Sequence, residues 1–173
     1  MAKKQKPGSV HTFKVALAGD KKIWRRISLL GNQTLDDLHE AIFEAFDRYD
    51  DHLYSFCISP PGTRGRRVMV DGIEYTHPEA LGGPDPWGDE DERKDASRTR
   101  VDSLGLIVGQ ELGYLFDFGD NWEHVITVEQ AGGQPDGKPY PRIIEKNGDS
   151  PPQYPDDEDD DDGEDDEWED DEQ

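Results

Sequence analysis

The sequence predicts an α+β domain: an antiparallel sheet built from β-hairpins and covered by one main helix, followed by a disordered acidic C-terminal tail. Three observations carry this prediction. Segments of alternating apolar and polar residues come in pairs joined by short turns. One stretch near residue 40 repeats its apolar residues at helical period. The chain then closes on DDEDDDDGEDDEWEDDEQ (156–173), which holds fifteen acids and no base. Such a run repels itself and has no apolar area to bury.

The elements follow in order. TFKVALA (12–18) and IWRRISL (23–29) both alternate, and Gly19-Asp20-Lys21-Lys22 between them is a turn. Placing Leu17 opposite Ile23 sets Val15 against Arg25 and Phe13 against Ile27. One face then holds Phe13, Val15, Leu17, Ile23 and Ile27, with Arg25 among them. The other face holds Lys14, Ala16, Trp24 and Arg26. A slip of one residue scatters the apolar set. Thr34 and Asp37 have capping-box spacing, and Asp36 and Asp37 suit the positive end of a helix dipole. Leu35, Leu38, Ile42, Ala45, Phe46 and Tyr49 form one stripe, with His39 and Phe43 at its edge.

HLYSFCIS (52–59) reads as a strand ended by Pro60-Pro61-Gly62. Asp71-Gly72 within VMVDGIEYT (68–76) is a hairpin signal. Residues 77–100 read as a long surface loop, and Leu104 and Leu106 as part of a short helical turn on the core. ELGYLFDFGDNWEHVITVE (111–129) gives the strongest hairpin. Leu112, Tyr114, Phe116 and Phe118 alternate on one strand; Trp122, His124, Ile126 and Val128 alternate on the other. A three-residue loop, Gly119-Asp120-Asn121, sets Phe118 against Trp122 and His124 beside Phe116, with Asp117 facing away beside Glu123. YPRIIE (140–145) is a last short strand. The resulting organisation is a basic flexible arm over 1–11, an α+β domain over 12–152 and an acidic tail over 153–173.

Charge narrows the function classes. The chain carries 41 acids and 19 bases, a net charge of −22. Without the fifteen acids of the tail, 26 acids remain against 19 bases, a net charge of −7 for residues 1–155. An anionic chain disfavours general binding to nucleic acid or to anionic membrane. Nothing approaches the run of about 18 apolar residues that spans a bilayer. The N-terminal MAKKQKPGSV has no apolar stretch of the secretory kind behind it. Cys57 stands alone, which excludes a disulfide framework and a thiolate zinc site and points to a reducing cytoplasm.

The order of IWRRI (23–27), TLDDLHEAIFEAF (34–46), HLYSF (52–56), YLFDFGDNWEHVITVE (114–129), YPR (140–142) and SPP (150–152) resembles the plasmid pRiA4b ORF-3-like family. The resemblance spans roughly residues 12–152 and implies a small α+β domain of undetermined biochemistry. Family members often place a Cys after the YPR segment and continue into a further helical stretch. Here Ile143 and Ile144 follow YPR, and the acidic run begins soon after SPP. Some members carry a resolvase-type name, which finds no support in an activated Ser, a catalytic Arg cluster or a helix-turn-helix. Asp117-Phe118-Gly119 lies in a hairpin and is no kinase motif.

The best chemical constellation is His39, His52, Asp117, Asp120 and His124, since His and Asp together hold Zn or Mn. Its metal-ligand subset is His39, His52, Asp120 and His124. Against it stands the reading of each His as a satisfied core residue, and the absence of a metal-site spacing. Arg25 on an apolar face demands a partner, with Asp117, Asp120 and Glu123 the nearest acids in the predicted register. The candidate ligand-binding residues are Trp24, Arg25, Arg26, His52, Asp120 and Trp122. The sequence thus favours a non-catalytic cytoplasmic binding or accessory module without cofactor, whose acidic tail, with Trp168 as its one apolar anchor, docks a protein partner. The alternatives are a metal-dependent hydrolase using the His/Asp cluster, and a mobile-element-associated nucleic-acid accessory protein. In the latter, the tail competes for the basic arm and for Arg64, Arg66 and Arg67.

Overall fold

The structure, a computed structural model, describes residues 8–82 and 92–154. The expected acidic tail from residue 155 onward and residues 1–7 of the expected basic arm lie outside the described residues. Eight strands form one sheet: β1 (Val10–Leu17), β2 (Trp24–Leu30), β3 (Tyr54–Ile58), β4 (Ile73–Thr76), β5 (Lys94–Asp95), β6 (Glu111–Phe116), β7 (Trp122–Gly133) and β8 (Arg142–Asn147). Their order is β5-β4-β3-β6-β7-β1-β2-β8. Every neighbouring pair is antiparallel except β4 with the two-residue β5. The helix α1 (Leu35–Ala45) covers one face. The architecture is α+β, as the alternation and the single helical stripe predict.

The first hairpin has the register that its apolar pattern demands. Phe13 pairs with Ile27 and Val15 with Arg25. Paired positions share a face, so these residues meet the helix together with Leu112, Tyr114, Phe116, His124, Ile126 and Val128. The capping box forms, with Asp37 N–H donating to Thr34 Oγ1 and Thr34 N–H donating to Asp37 Oδ2. The helix ends in a Schellman arrangement. Asp47 N–H donates to Glu44 O and Arg48 N–H to Phe43 O, with Asp47 in the left-handed region at φ 55.

That left-handed residue changes the stripe. The chain leaves helical geometry at Asp47, so the next inward side chain is Arg48, and Tyr49 is 71% exposed. His39, expected at the edge, is buried against the sheet.

The β6–β7 hairpin keeps the expected shared face, but its register differs by two residues. Phe116, not Phe118, stands opposite Trp122, and Tyr114 stands opposite His124. The turn is therefore five residues long. Asp117 opens it at φ 63, its Oδ1 accepting from the N–H groups of Gly119 and Asp120. Asx-type capping of this kind stabilises a longer turn. Phe118 is left exposed at the tip.

The Asp71-Gly72 hairpin does not form. Gly65–Met69 is instead a 3-10 turn, and Ile73–Thr76 pairs back onto β3. The 3-10 turn lies across the second face of the sheet at Gly113, where an added Cβ would stand 2.5 Å from the Val68 carbonyl oxygen. Leu104 and Leu106 flank the end of a 3-10 turn over Val101–Leu104 and pack on the core as expected. Of the expected 77–100 loop, residues 83–91 lie outside the described residues, while Pro78–Ala80 and Ala96–Arg98 are 3-10 turns. The fold runs beyond position 152: Gln153 is 3% exposed.

Candidate functional site

At the end of the sheet where β1 turns into β2 and β6 into β7 there is a cavity of about 1130 Å³. Three segments wall it: residues 17–23, residues 120–123 and residues 151–154, with Arg66 at the side. The first two are hairpin ends fixed by the sheet. The third is held by side chains. Gln153 Oε1 accepts from the N–H groups of Tyr49 and Asp50, and its Nε2 donates to Asp50 O. Ser150 Oγ donates to Asp47, and Tyr154 O–H donates to Asp50. The charged lining is Asp20, Asp120 and Glu123 against Arg66; the apolar lining includes Leu17, Ile23, Trp122 and Pro151.

Arg48 sits against the Trp122 wall of this cavity. It is 8% exposed, and its guanidinium lies 4.8 Å from the Phe116 ring centre, 5.2 Å from Phe46 and 5.3 Å from Trp122. It has no carboxylate partner among the described residues. Its Nη2 donates to His124 Nε2 at 2.8 Å. A guanidinium only donates, so Nε2 must carry the lone pair and Nδ1 the proton, which faces Tyr114 O at 3.3 Å. Burial, and then the Arg48 charge, hold His124 neutral, with a pKa well below the ordinary value. Burial likewise lowers Arg48 to about 10. Two buried donors in this group have no acceptor among the described residues: Arg48 Nη1 and Trp122 Nε1.

The other two candidate histidines are engaged as well. His39 stacks on Tyr54 at 3.9 Å between ring centres; its Nδ1 shares a hydrogen bond of 2.7 Å with Tyr114 Oη, and its Nε2 lies 3.4 Å from Asp51. Burial pushes its pKa down to about 4. His52 Nε2 lies 2.6 Å from Tyr154 Oη and 3.5 Å from both Asp50 and Asp117. Since Tyr154 donates its proton to Asp50, it accepts from His52. The proposed ligand set of His39, His52, Asp120 and His124 does not assemble: among the described residues no group of three or more His, Cys, Asp or Glu is placed to hold a metal. Both His124 nitrogens are engaged, Nε2 by the Arg48 guanidinium and Nδ1 by the Tyr114 carbonyl.

The six candidate ligand-binding residues divide between places. Asp120 and Trp122 line the cavity, and His52 touches it through Tyr154. Trp24 and Arg26 pair with Ala16 and Lys14, so they lie on the opposite face of the sheet. There Lys14 and Arg26 flank the Trp24 ring, and Arg26 pairs with Glu129 and Glu145. Arg25 is buried beneath the helix, and none of Asp117, Asp120 and Glu123 is its partner. Its donors go to the carbonyls of Ala45, Trp24 and Asn147 and to Ser150 Oγ. Sequence reasoning missed Arg48, Gln153 and Tyr154. The signal for Arg48 was the cation directly following a helix end; nothing in the sequence placed 153 and 154 inside the fold.

Fold and site together define a small α+β sheet domain with a cavity at one end of the sheet and a histidine–arginine core beside it. Residues 9–159 match the family model described as plasmid pRiA4b ORF-3-like protein, and the chain belongs to that family. It is 29% identical over 134 residues to the uncharacterized protein y4hQ of Sinorhizobium fredii, covering 76% of this chain and 58% of that one. The chain thus spans less than two thirds of that relative's length. It is also similar to the crystal structure of a protein of unknown function, MM3350, from Methanosarcina mazei Go1. That match has a TM-score of 0.63 and 25% identity, and covers 86% of this chain and 74% of the other. No helix among the described residues is long and apolar enough to cross a membrane.

Proposed function

We propose that the chain is a non-catalytic binding module of the cytoplasm, which takes its ligand or protein partner in the cavity beside Trp122. The observation that supports this most is the cavity itself: about 1130 Å³, walled by two rigid hairpin ends, with one aromatic and several apolar side chains among a few charges. Binding sites have this composition. His124 and His39 argue against acid–base chemistry of their own there. A general acid or base needs a reachable proton and a pKa near the working pH. His124 is buried, neutral and blocked on both nitrogens, and His39 is buried and depressed to about 4. Cys57, buried and unpaired, is consistent with a reducing compartment. The acidic run after the cavity wall supplies a second, electrostatic contact for a basic partner.

The test is a protein-observed NMR fragment screen on the full chain, combined with hydrolysis assays on generic phosphate and carboxylic esters with added Zn²⁺ or Mn²⁺. Saturable shifts clustered at 17–23, 120–123 and 151–154, without turnover, are expected. Turnover that disappears with His39→Gln or His52→Gln sinks the proposal.

A further inference from the structure

The two donors without acceptors identify a ligand class. A buried arginine normally has its charge paired and its five N–H groups satisfied, because desolvating a guanidinium is costly. Arg48 has neither. Its surroundings are three aromatic rings and a neutral imidazole, and Nη1 has no acceptor among the described residues. The indole Nε1 of Trp122, whose ring lies against the same guanidinium, likewise has no acceptor among them. Two orphaned donors on side chains that pack against each other, one of them charged, call for an anionic acceptor such as a carboxylate. Trp122 is at the same time a wall of the cavity.

The rest of the lining restricts what can carry that carboxylate. Among the described residues, Asp20, Asp120 and Glu123 face the cavity against Arg66 alone. A polyanion is repelled there, whereas a cationic group on the ligand finds counter-charges. The apolar side chains of Leu17, Ile23 and Pro151 take an aliphatic part. We propose that Arg48 Nη1 and Trp122 Nε1 form a carboxylate-binding subsite. In this proposal the cavity accepts an amphoteric ligand, with one carboxylate at this donor pair and an amine at Asp120 and Glu123, as in an amino acid or a basic peptide end. Neither donor is solvent-exposed. In the proposal the ligand therefore enters by displacing residues 151–154, the wall held by side-chain hydrogen bonds rather than by the sheet. The inference rests on the binding-module reading and adds the chemistry of the ligand to it.

The test follows the indole ¹H–¹⁵N resonance of Trp122 in the full chain, assigned by its disappearance in Trp122→Phe. The probes are sodium acetate, L-lysine, n-butylamine and a synthetic peptide of residues 156–173, each against NaCl of equal ionic strength. Acetate and L-lysine are expected to shift this resonance saturably, L-lysine at the lower concentration, and n-butylamine to leave it in place. Arg48→Gln is expected to weaken L-lysine binding by about tenfold or more, the loss typical of a charged hydrogen bond. Trp122→Phe keeps one aromatic ring against the guanidinium and removes the indole donor, so it tests the same subsite where Arg48→Gln does not fold. Calorimetry with L-lysine is then expected to show binding several-fold weaker. The subsite is overturned if neither acetate nor L-lysine moves the resonance beyond the NaCl control, or if Trp122→Phe binds L-lysine as tightly as the native chain. Tighter binding by the 156–173 peptide than by L-lysine overturns the amphoteric ligand class. Fragments that bind elsewhere in the cavity while the indole stays still overturn this inference and leave the binding module standing.

Discussion

Arg25 donates from Nε to the carbonyl oxygen of Ala45 at 2.8 Å, so a strand of the sheet caps the C-terminus of the helix that covers it. The last turn of α1 contains no basic residue of its own. Its terminal carbonyls carry the negative end of the helix dipole and lack intrahelical donors. The guanidinium supplies both the charge and the donor, and it reaches on to the carbonyls of Trp24 and Asn147 and to Ser150. One side chain thereby ties β2, α1, the end of β8 and the segment leading to the cavity wall.

Arg25→Ala leaves three carbonyls without this donor in a site where Arg25 itself is 1% exposed. It should cost about 3–4 kcal/mol in urea unfolding, within the range for breaking a buried charged network. Arg25→Lys keeps the charge but cannot reach four acceptors from one ammonium, and should recover only part of that loss. A Lys variant as stable as the native chain would show that charge alone, without the fork, does the capping.

Much of this was legible in the sequence. The β1–β2 register followed from the apolar pattern because one face is fully buried, so a slip is heavily penalised. The same logic placed the β6–β7 residues on their correct face, yet it missed the register by two. A shift of two preserves the face, and only turn chemistry distinguishes the options. The left-handed Asp117, with its Asx-type hydrogen bonds, selected the longer turn. Helical periodicity likewise ran one step too far at Tyr49, because the left-handed Asp47 ended the helix and turned Arg48 inward. The arginine–histidine core beside the cavity was hidden for that reason. The contact between residues 150–154 and residues 47–52 is long-range, made of hydrogen bonds and of the Tyr154 ring against Tyr49 and His52, and leaves no periodic signal at all.

His39 makes stability depend on pH in a defined window. Its pKa falls to about 4 in the fold, chiefly by burial, and the attraction of Asp51 and Asp36 for the protonated form does not offset this. In the unfolded chain it titrates near 6.5. Between those values the unfolded state binds a proton that the folded state refuses, so stability falls as pH falls. At ~1.4 kcal/mol per unit the total loss is about 3 kcal/mol at the bottom of the window. His124, shifted in the same direction, adds to it. His39→Gln should flatten the stability curve between about pH 6.5 and 4. If urea midpoints of the native chain and the variant fall in parallel over this range, His39 is not the titrating group.

Gly113 has no room for a side chain. A Cβ there would lie 2.5 Å from the Val68 carbonyl oxygen and 2.8 Å from the Met69 sulfur. Backbone cannot yield as a side-chain tip can, so Gly113→Ala must push the Gly65–Met69 turn off the sheet or bend β6. A cost of about 1–3 kcal/mol is expected, as for overpacked cores. An unchanged melting temperature would mean that the 3-10 turn is not seated on β6.

Two truncations separate the cavity wall from the acidic run. Gln153 satisfies two backbone N–H groups and one carbonyl of residues 49–50, and Tyr154 links Asp50 with His52. Removing 150–173 strips these bonds, takes Ser150 from Arg25, and opens the Trp122 side of the cavity. Removing 156–173 takes away fifteen acids and leaves all of these contacts in place. The longer deletion should therefore lower stability by about 2–4 kcal/mol, several lost hydrogen bonds at ~1 kcal/mol each. The shorter one should leave the melting temperature nearly unchanged at moderate salt, since a run of like charges contributes no apolar burial. The shorter variant also isolates the electrostatic question. With its net charge reduced from −22 to −7, it should bind labelled oligonucleotides at low salt if the acidic run screens a phosphate-binding surface. No binding by either form would remove nucleic acid from consideration. Equal melting temperatures for the two truncations would instead mean that residues 150–154 add nothing to the fold, and that the cavity wall they form is not a fixed part of the site.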